Sequence, residues 1–304
     1  MKRLILFIAI IISAIFVVDI LFGVFSRYYV KNYQIPGDYR TIDYLIKETK
    51  DDVIIVGSSV ALNSTISSVL EDSLNMSVWN GACNGQGLPY FETILEVVFS
   101  HHIPKAIIWG MRENELNYYT KGNRYKMLAP YYGFGYKTLD KYIEEGELVD
   151  KLMAKSSLYR NNTIWVRILL YNFIEPGEKG EKGFVAKGIP PYYPNIIEVE
   201  GTNEIDEQGV EAFNRIVKKC RDNNVKLICY YPPVYKKYVN VTSEAVKITE
   251  QLCKENNIEI YNALQDPAFM ADSTLFYDND HLNKNGAEIF SRDLSGFLKD
   301  VITE

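Results

Sequence analysis

Asp51-Asp52-Val53-Ile54-Ile55-Val56-Gly57-Ser58-Ser59 is the stretch on which the fold turns. Four apolar residues, all β-branched, stand between two carboxylates and a glycine. The run is too short for a helix and does not alternate, so it predicts a strand buried on both faces, as in a parallel sheet. Four similar runs follow: Ser77-Val78-Trp79 before Asn80-Gly81, Ala106-Ile107-Ile108-Trp109 before Gly110, Lys226-Leu227-Ile228-Cys229-Tyr230 before Pro232-Pro233, and Ile258-Glu259-Ile260-Tyr261 before Asn262. Helical spacing lies between them. Phe91, Ile94, Leu95 and Val98 recur over 88–100, Val210, Phe213, Ile216 and Val217 over 207–223, and Val246, Ile248 and Leu252 over 243–256. Strands alternating with helices predict an α/β fold, a three-layer αβα sandwich on a five-stranded parallel sheet wound in the flavodoxin manner. In such sheets the sites form at the carboxyl ends of the strands.

Upstream of this core, Lys2 and Arg3 precede an apolar run from Leu4 to Phe25, broken by Ser13 and Asp19. At ~1.5 Å per residue a helix of this length spans about 30 Å, the thickness of the bilayer hydrocarbon. The residues after it, Ser26-Arg27-Tyr28-Tyr29, make a poor cleavage context, so the run reads as an uncleaved single-pass anchor over 1–30. Flanking charges are balanced, Lys2 and Arg3 against Arg27 and Lys31. The short N-terminal tail favours the cytoplasm for the N-terminus and places the globular part outside it. Asp19 is costly at that depth, and two explanations stand open: contact with a multi-spanning membrane partner, or a position near the water boundary. Residues 31–50 read as a tether and a first helix, and 51–304 as the main domain. The stretch 112–205 interrupts the rhythm, so it is expected to be a mainly helical and loop insertion. Within it Pro176-Gly177 and Gly180-Glu181-Lys182-Gly183 mark loops, and a mobile stretch is expected near 175–190.

Composition narrows the function classes. The 304 residues carry a formal net charge of −6, and the lysines and arginines are dispersed, which argues against a nucleic-acid binder. The 23 tyrosines suit either glycan stacking or core edges with one wet end. Cys83, Cys220, Cys229 and Cys253 form no C-x-x-C pair and there are only three histidines, so no metal site is expected. Buried free thiols are the expectation, with a disulfide left open.

Each strand end is followed by a residue with chemical potential. Gly57 permits a sharp turn, and Ser59 would then sit where a following helix aims its amide N–H groups. The second strand leads to Asn80-Gly81-Ala82-Cys83-Asn84-Gly85, where a glycine lets backbone approach a ligand. The third leads to Arg112-Glu113-Asn114-Glu115, where Asn114 offers an NH₂ group. Near the C-terminus, Asp278 precedes His281 by three residues. That carboxylate can bond the imidazole Nδ1–H and leave Nε2 free to take a serine proton. His101 and His102 stand together at a helix end before Pro104 and read as surface.

The order and residues of these blocks resemble the SGNH/GDSL hydrolase superfamily. Gly57-Ser58-Ser59-Val60 stands in place of the family's Gly-Asp-Ser-Leu, so Ser59 matches the nucleophile and Ser58 replaces an aspartate. Asn80 and Gly85 keep the second block's spacing. Asn114 matches the third-block asparagine, whose usual glycine is missing here. Asp278 and His281 match the last block. The Gly-Ser-Ser and Asn-Glu forms look like the membrane-anchored branch similar to DltD and the alginate O-acetylation proteins. The resemblance covers about 53–110 and 206–298. It implies catalytic Ser59, His281 and Asp278, an oxyanion hole from Ser59, Gly85 and Asn114, and no cofactor.

The expected function is therefore a serine esterase or O-acyl(acetyl)transferase, acting outside the cytoplasm on a cell-envelope polysaccharide. Its partners would be the bilayer, a glycan or acyl carrier, and a membrane-bound O-acyltransferase. The alternative is a non-catalytic, polymer-binding scaffold that partners such an acyltransferase.

Overall fold

In the computed structural model, which describes residues 1–117, 127–144, 148–162, 164–174, 181–200, 205–238 and 244–302, the opening stretch becomes strand β1 (Val53–Gly57). All five of its residues are buried. The remaining strands are β2 (Val78–Asn80), β3 (Ala106–Gly110), β4 (Ile197–Val199), β5 (Lys226–Tyr231), β6 (Lys236–Tyr238) and β7 (Glu259–Asn262). Five of them form one parallel sheet in the order β2-β1-β3-β5-β7. This is the doubly wound arrangement expected from the alternating pattern. The short β4 and β6 pair separately.

The helices are α1 (Lys2–Asn32), α2 (Arg40–Lys47), α3 (Ser59–Ser64), α4 (Ser67–Leu74), α5 (Leu88–Phe99), α6 (Lys137–Glu144), α7 (Leu148–Lys155), α8 (Ser157–Asn161), α9 (Ile164–Leu169), α10 (Glu207–Asp222), α11 (Glu244–Glu255), α12 (Pro267–Met270) and α13 (Lys284–Ile302). Alternate sheet residues serve the two outer layers. Val53, Ile55, Ile108, Ile228 and Tyr230 join α3, α4 and α13 in one buried cluster. On the opposite face Trp109 packs against Phe91 of α5 and Phe213 of α10, with ring centroids 5.9 and 5.5 Å apart. Burial of each such side chain stabilises by about 1.5–3 kcal/mol, which is why a two-sided apolar strand sits at the centre of three layers. All four cysteines are free and buried.

By internal packing the chain forms two units. One holds Met1–Asp43 and Asn123–Glu178, the other Tyr44–Gly122 and Lys179–Glu304. The second contains the sheet and its covering layers.

In this sheet unit, the expectation of a mobile stretch near 175–190 does not hold for 181–185. The Asn80 backbone N–H donates to the Lys182 carbonyl at 2.9 Å, and Val185 N–H to the Leu62 carbonyl at 3.2 Å. Asn63 Nδ2 donates to the Val185 carbonyl at 2.8 Å. Gly183 has φ +87°, and a Cβ there would lie 1.9 Å from the Asn80 carbonyl oxygen. Its glycine serves close backbone approach, and the flanking chain is fixed by it. Pro176, Gly177 and Gly180, the other loop markers, lie outside the described residues.

In the first unit, α1 is long and apolar enough to cross a membrane, with a mean hydropathy of 3.1 over its best window. Asp19 finds hydrogen-bond partners within the chain. Its carboxylate accepts from Ser156 Oγ at 2.7 Å, Ser157 N–H at 3.1 Å and Leu158 N–H at 2.8 Å. It thus caps the first turn of α8, whose amide N–H groups lack intrahelical acceptors.

Candidate active site

The turn from β1 into α3 is built by two glycines. Gly57 and Gly110 are register partners at the ends of β1 and β3. A Cβ on Gly57 would meet the Gly110 carbonyl oxygen at 2.4 Å and the Ala61 Cβ at 2.6 Å, and Gly57 carries φ +153°. A Cβ on Gly110 would meet Ala61 at 2.6 Å as well. The paired glycines let α3 drop onto the strand ends, and α3 begins at Ser59. The hydroxyl of Ser59 therefore emerges at the carboxyl edge of the sheet, beside the unpaired N–H groups of a helix start.

Asn80 holds α3 from below. Its side chain is fully buried, donates to the carbonyls of Ala61 at 3.1 Å and Thr65 at 2.8 Å, and accepts from Ala82 N–H at 3.0 Å. The Thr65 hydroxyl in turn lies 2.6 Å from the Tyr230 hydroxyl on β5. Ser58, next to the candidate nucleophile, is wholly buried. A hydroxyl can be placed there at far lower cost than a charge.

The second half of the site is the turn before α13. Asp278 Oδ1 accepts from the backbone N–H of Asp280 at 2.8 Å and of His281 at 2.9 Å. The His281 Nδ1 lies 2.8 Å from Oδ1 and 3.0 Å from Oδ2 of the same carboxylate. Burial alone would raise the Asp278 carboxyl, but the His281 ring and these two N–H groups outweigh it and hold the carboxyl below its ordinary range. Asn283 locks the turn to the following helix. It accepts from Asn285 and Gly286 N–H, and its Nδ2 donates to the Thr274 carbonyl at 2.7 Å. With Nδ1–H committed to Asp278, Nε2 is the acceptor, and it stands 2.8 Å from Ser59 Oγ.

Ser59, His281 and Asn114 line one cavity of about 260 Å³. Val60, Met111, Val234 and Leu264 give it an apolar side, and Arg112, Glu113, Lys236 and Asp280 a polar one. Gly85 is exposed in the loop after β2 with φ +67°, and is not part of the cavity wall. The two loops are nonetheless tied together. Arg112 donates to the Gln86 carbonyl at 3.4 Å and forms an ion pair with the buried Glu115 at 3.3 Å. Arg112 thereby braces the loop that carries Asn114.

Lys236 escaped the sequence-based expectation. It bonds to Asp280 and lies 3.5 Å from Glu113. Burial pulls its ammonium down, and the two carboxylates more than offset this, so it stays protonated well beyond neutrality. The Pro232-Pro233 break after β5 marked a strand end, but nothing in the local sequence ties a lysine there to residues 113 and 280.

A larger cavity, about 360 Å³, opens at the other end of the sheet between α10, β5 and β7. Its one cysteine, Cys220, is pushed up to about 12 by burial, so it is a poor nucleophile. His101 is exposed at the end of α5, and His102 Nε2 lies 2.7 Å from the Asp51 carbonyl. Among the described residues no group of three His, Cys, Asp or Glu side chains is placed to hold a metal ion.

No family model and no curated protein matches the chain. Solved structures do. A lipolytic protein of the G-D-S-L family from Desulfitobacterium hafniense aligns at 12% identity with a TM-score of 0.42, over 80% of this chain and 97% of its own. The psychrotrophic esterase EstA from Pseudoalteromonas sp. aligns at 11% identity with a TM-score of 0.44, over 84% and 100%. The acetyl xylan esterase AlAXEase aligns at 11% identity with a TM-score of 0.41, over 82% and 98%.

Proposed function

We propose that the chain is a membrane-anchored serine esterase or O-acyltransferase of the SGNH type, acting outside the cytoplasm on short acyl esters of a cell-envelope polysaccharide. One observation carries this: Ser59 Oγ, His281 and Asp278 form an unbroken hydrogen-bonded relay, 2.8 Å at the serine and 2.8 Å at the carboxylate. A hydroxyl, a base and a base-orienting carboxylate in line are the parts of acyl transfer. His281 Nε2 takes the Ser59 proton as Oγ attacks the ester carbonyl, and gives it to the departing alcohol. The acyl-enzyme is then released to water or to a sugar hydroxyl, with His281 again acting as base. The Ser59 N–H and the Asn114 side chain, both at the cavity, are the proposed donors to the oxyanion; the Gly85 N–H, the third donor expected from the sequence, stands outside the cavity wall. Each donor at the cavity is worth ~2.7–4 kcal/mol of transition-state stabilisation.

A cavity of about 260 Å³ with apolar and polar sides favours a small acyl group such as acetyl on a polar acceptor. The apolar length of α1 supports anchoring. A polymer-binding scaffold would need no such relay. The test is alkylphosphonate labelling of the full chain. Stoichiometric labelling that is lost in Ser59→Ala is expected. Unlabelled wild-type protein, under conditions where a related esterase reacts, sinks the mechanism and leaves the scaffold. Anchoring to an acyltransferase partner is tested separately, by co-purification from membranes.

A further inference from the structure

In the first unit, α7, α8 and α9 follow one another with breaks of only one or two residues. The start of α8 is fastened to α1 by the three bonds that Asp19 accepts. Closer to the end of α1, a Cβ on Gly23 would lie 2.6 Å from Ser157 Oγ. Ser26 Oγ accepts from Asn161 Nδ2 at 3.3 Å. Residues 19, 23 and 26 lie on one face of α1, so α8 runs along that face at close quarters.

This contact fixes depth. Asp19 stands six residues before Phe25, the end of the apolar run, which is about 9 Å along a helix. The first turn of α8 is thereby held level with the part of α1 that is apolar on its other faces. At that level an uncapped helix start would have no water to satisfy its N–H groups, and the Asp19 carboxylate supplies the acceptor. The neighbouring helices turn apolar faces outward. Leu148, Val149 and Leu152 on α7 are 71, 56 and 61% exposed. Leu170, Phe173 and Ile174, in the turn that continues α9, are 48, 57 and 66% exposed. Each set has helical spacing, so each forms one stripe. The stretch 148–174 also carries Lys151, Lys155, Arg160 and Arg167 against Asp150 alone, in a chain whose net charge is −6. Apolar stripes flanked by cations suit a lipid surface with anionic headgroups.

We propose that residues 148–174 are a second membrane element, lying in the leaflet that holds the C-terminal end of α1, with the stripes of α7 and of the end of α9 immersed in lipid. This rests on α1 crossing the membrane. The element would hold the chain at the bilayer surface at two places, where a single helix allows free rotation.

Tryptophan quenching by bromine-labelled acyl chains tests it in the full chain reconstituted into phosphatidylcholine–phosphatidylglycerol vesicles. Trp165→Phe removes the native tryptophan of the segment. In that background Phe173→Trp reports on the stripe and Leu21→Trp on α1; both positions are exposed, and at 173 a tryptophan keeps an aromatic ring beside Tyr33. After subtraction of the Trp79 and Trp109 signal recorded for Trp165→Phe alone, emission from Phe173→Trp is expected to fall by about half in brominated vesicles, as for a side chain immersed at the acyl boundary. Quenching of Leu21→Trp alone overturns the second element and leaves the anchor standing. Quenching of neither overturns both.

Discussion

At the scale of single residues, the site depends on which nitrogen of His281 carries the proton. Asp278 settles this by accepting from Nδ1, at 2.8 and 3.0 Å. Asp278→Asn keeps the shape but can present an NH₂ group to the ring and favour the wrong tautomer. A fall of about 10⁴ in kcat is expected, with KM changed far less. Steady-state kinetics on a short-chain aryl ester checks it, and a loss confined to KM would mean that Asp278 serves binding instead. The same carboxylate has a pH signature. Its pKa is lower in the folded chain than in the unfolded one, so its contribution to stability is complete above the ordinary carboxylate range. That contribution is lost as pH falls through the folded-state value. The gap in denaturant midpoint between wild type and Asp278→Asn should stay constant from pH 7 to about pH 5 and close below about pH 4. A gap that persists into strong acid would assign the stabilisation to shape and not to charge.

At the scale of elements, the five strands of the sheet and α5, α10 and α11 were legible because their signals are local. Buried strands show as short apolar runs, and covering helices as 3.6-residue spacing. Ser59, Asp278 and His281 were legible for a related reason: each sits where such an element begins or ends. What escaped was long-range. Asn80 reads in sequence as a loop residue, yet its buried side chain is the clamp that holds the carbonyls of Ala61 and Thr65. Lys236, at the start of β6, joins Glu113 and Asp280 from two separate loops. Gly183 reads as a spacer because only the approach of Asn80 reveals why a side chain is forbidden. The clamp makes a prediction at this scale. Asn80→Ala removes the side-chain donor to the Ala61 and Thr65 carbonyls and the acceptor for Ala82 N–H, leaving Ala61 only its bond from Thr65 N–H, so stability should drop by ~1–3 kcal/mol. Because α3 carries Ser59, phosphonate labelling should also slow, even at temperatures where the variant remains folded. Chemical denaturation and labelling rates measure the two effects. Unchanged labelling with reduced stability would show that the Ser59 turn is held by the paired glycines alone.

At the scale of the whole molecule, the candidate site and the apolar helix are carried by different parts of the chain. Ser59, Asn114, Lys236, Asp278 and His281 all belong to the unit formed by Tyr44–Gly122 and Lys179–Glu304. The apolar helix belongs to the unit formed by Met1–Asp43 and Asn123–Glu178, where α1 covers one side of α8 and supplies its cap. Removing residues 2–32 should therefore have two separable consequences. The first unit loses the carboxylate that satisfies the start of α8 and the surfaces of Gly23 and Ser26 that pack on it. Backbone within 148–162 should then open and become cleavable, since local stability follows local burial and hydrogen bonding. The sheet unit keeps its strands, its covering helices and the full relay, so Ser59 should still be labelled by an alkylphosphonate. Limited proteolysis with mass mapping, run beside labelling of the same truncated chain in detergent, reads both. Early cleavage at 148–162 with labelling retained is expected. Labelling lost together with that cleavage would mean that the geometry of Ser59 and His281 depends on the anchor unit, and that acyl chemistry and membrane attachment are coupled.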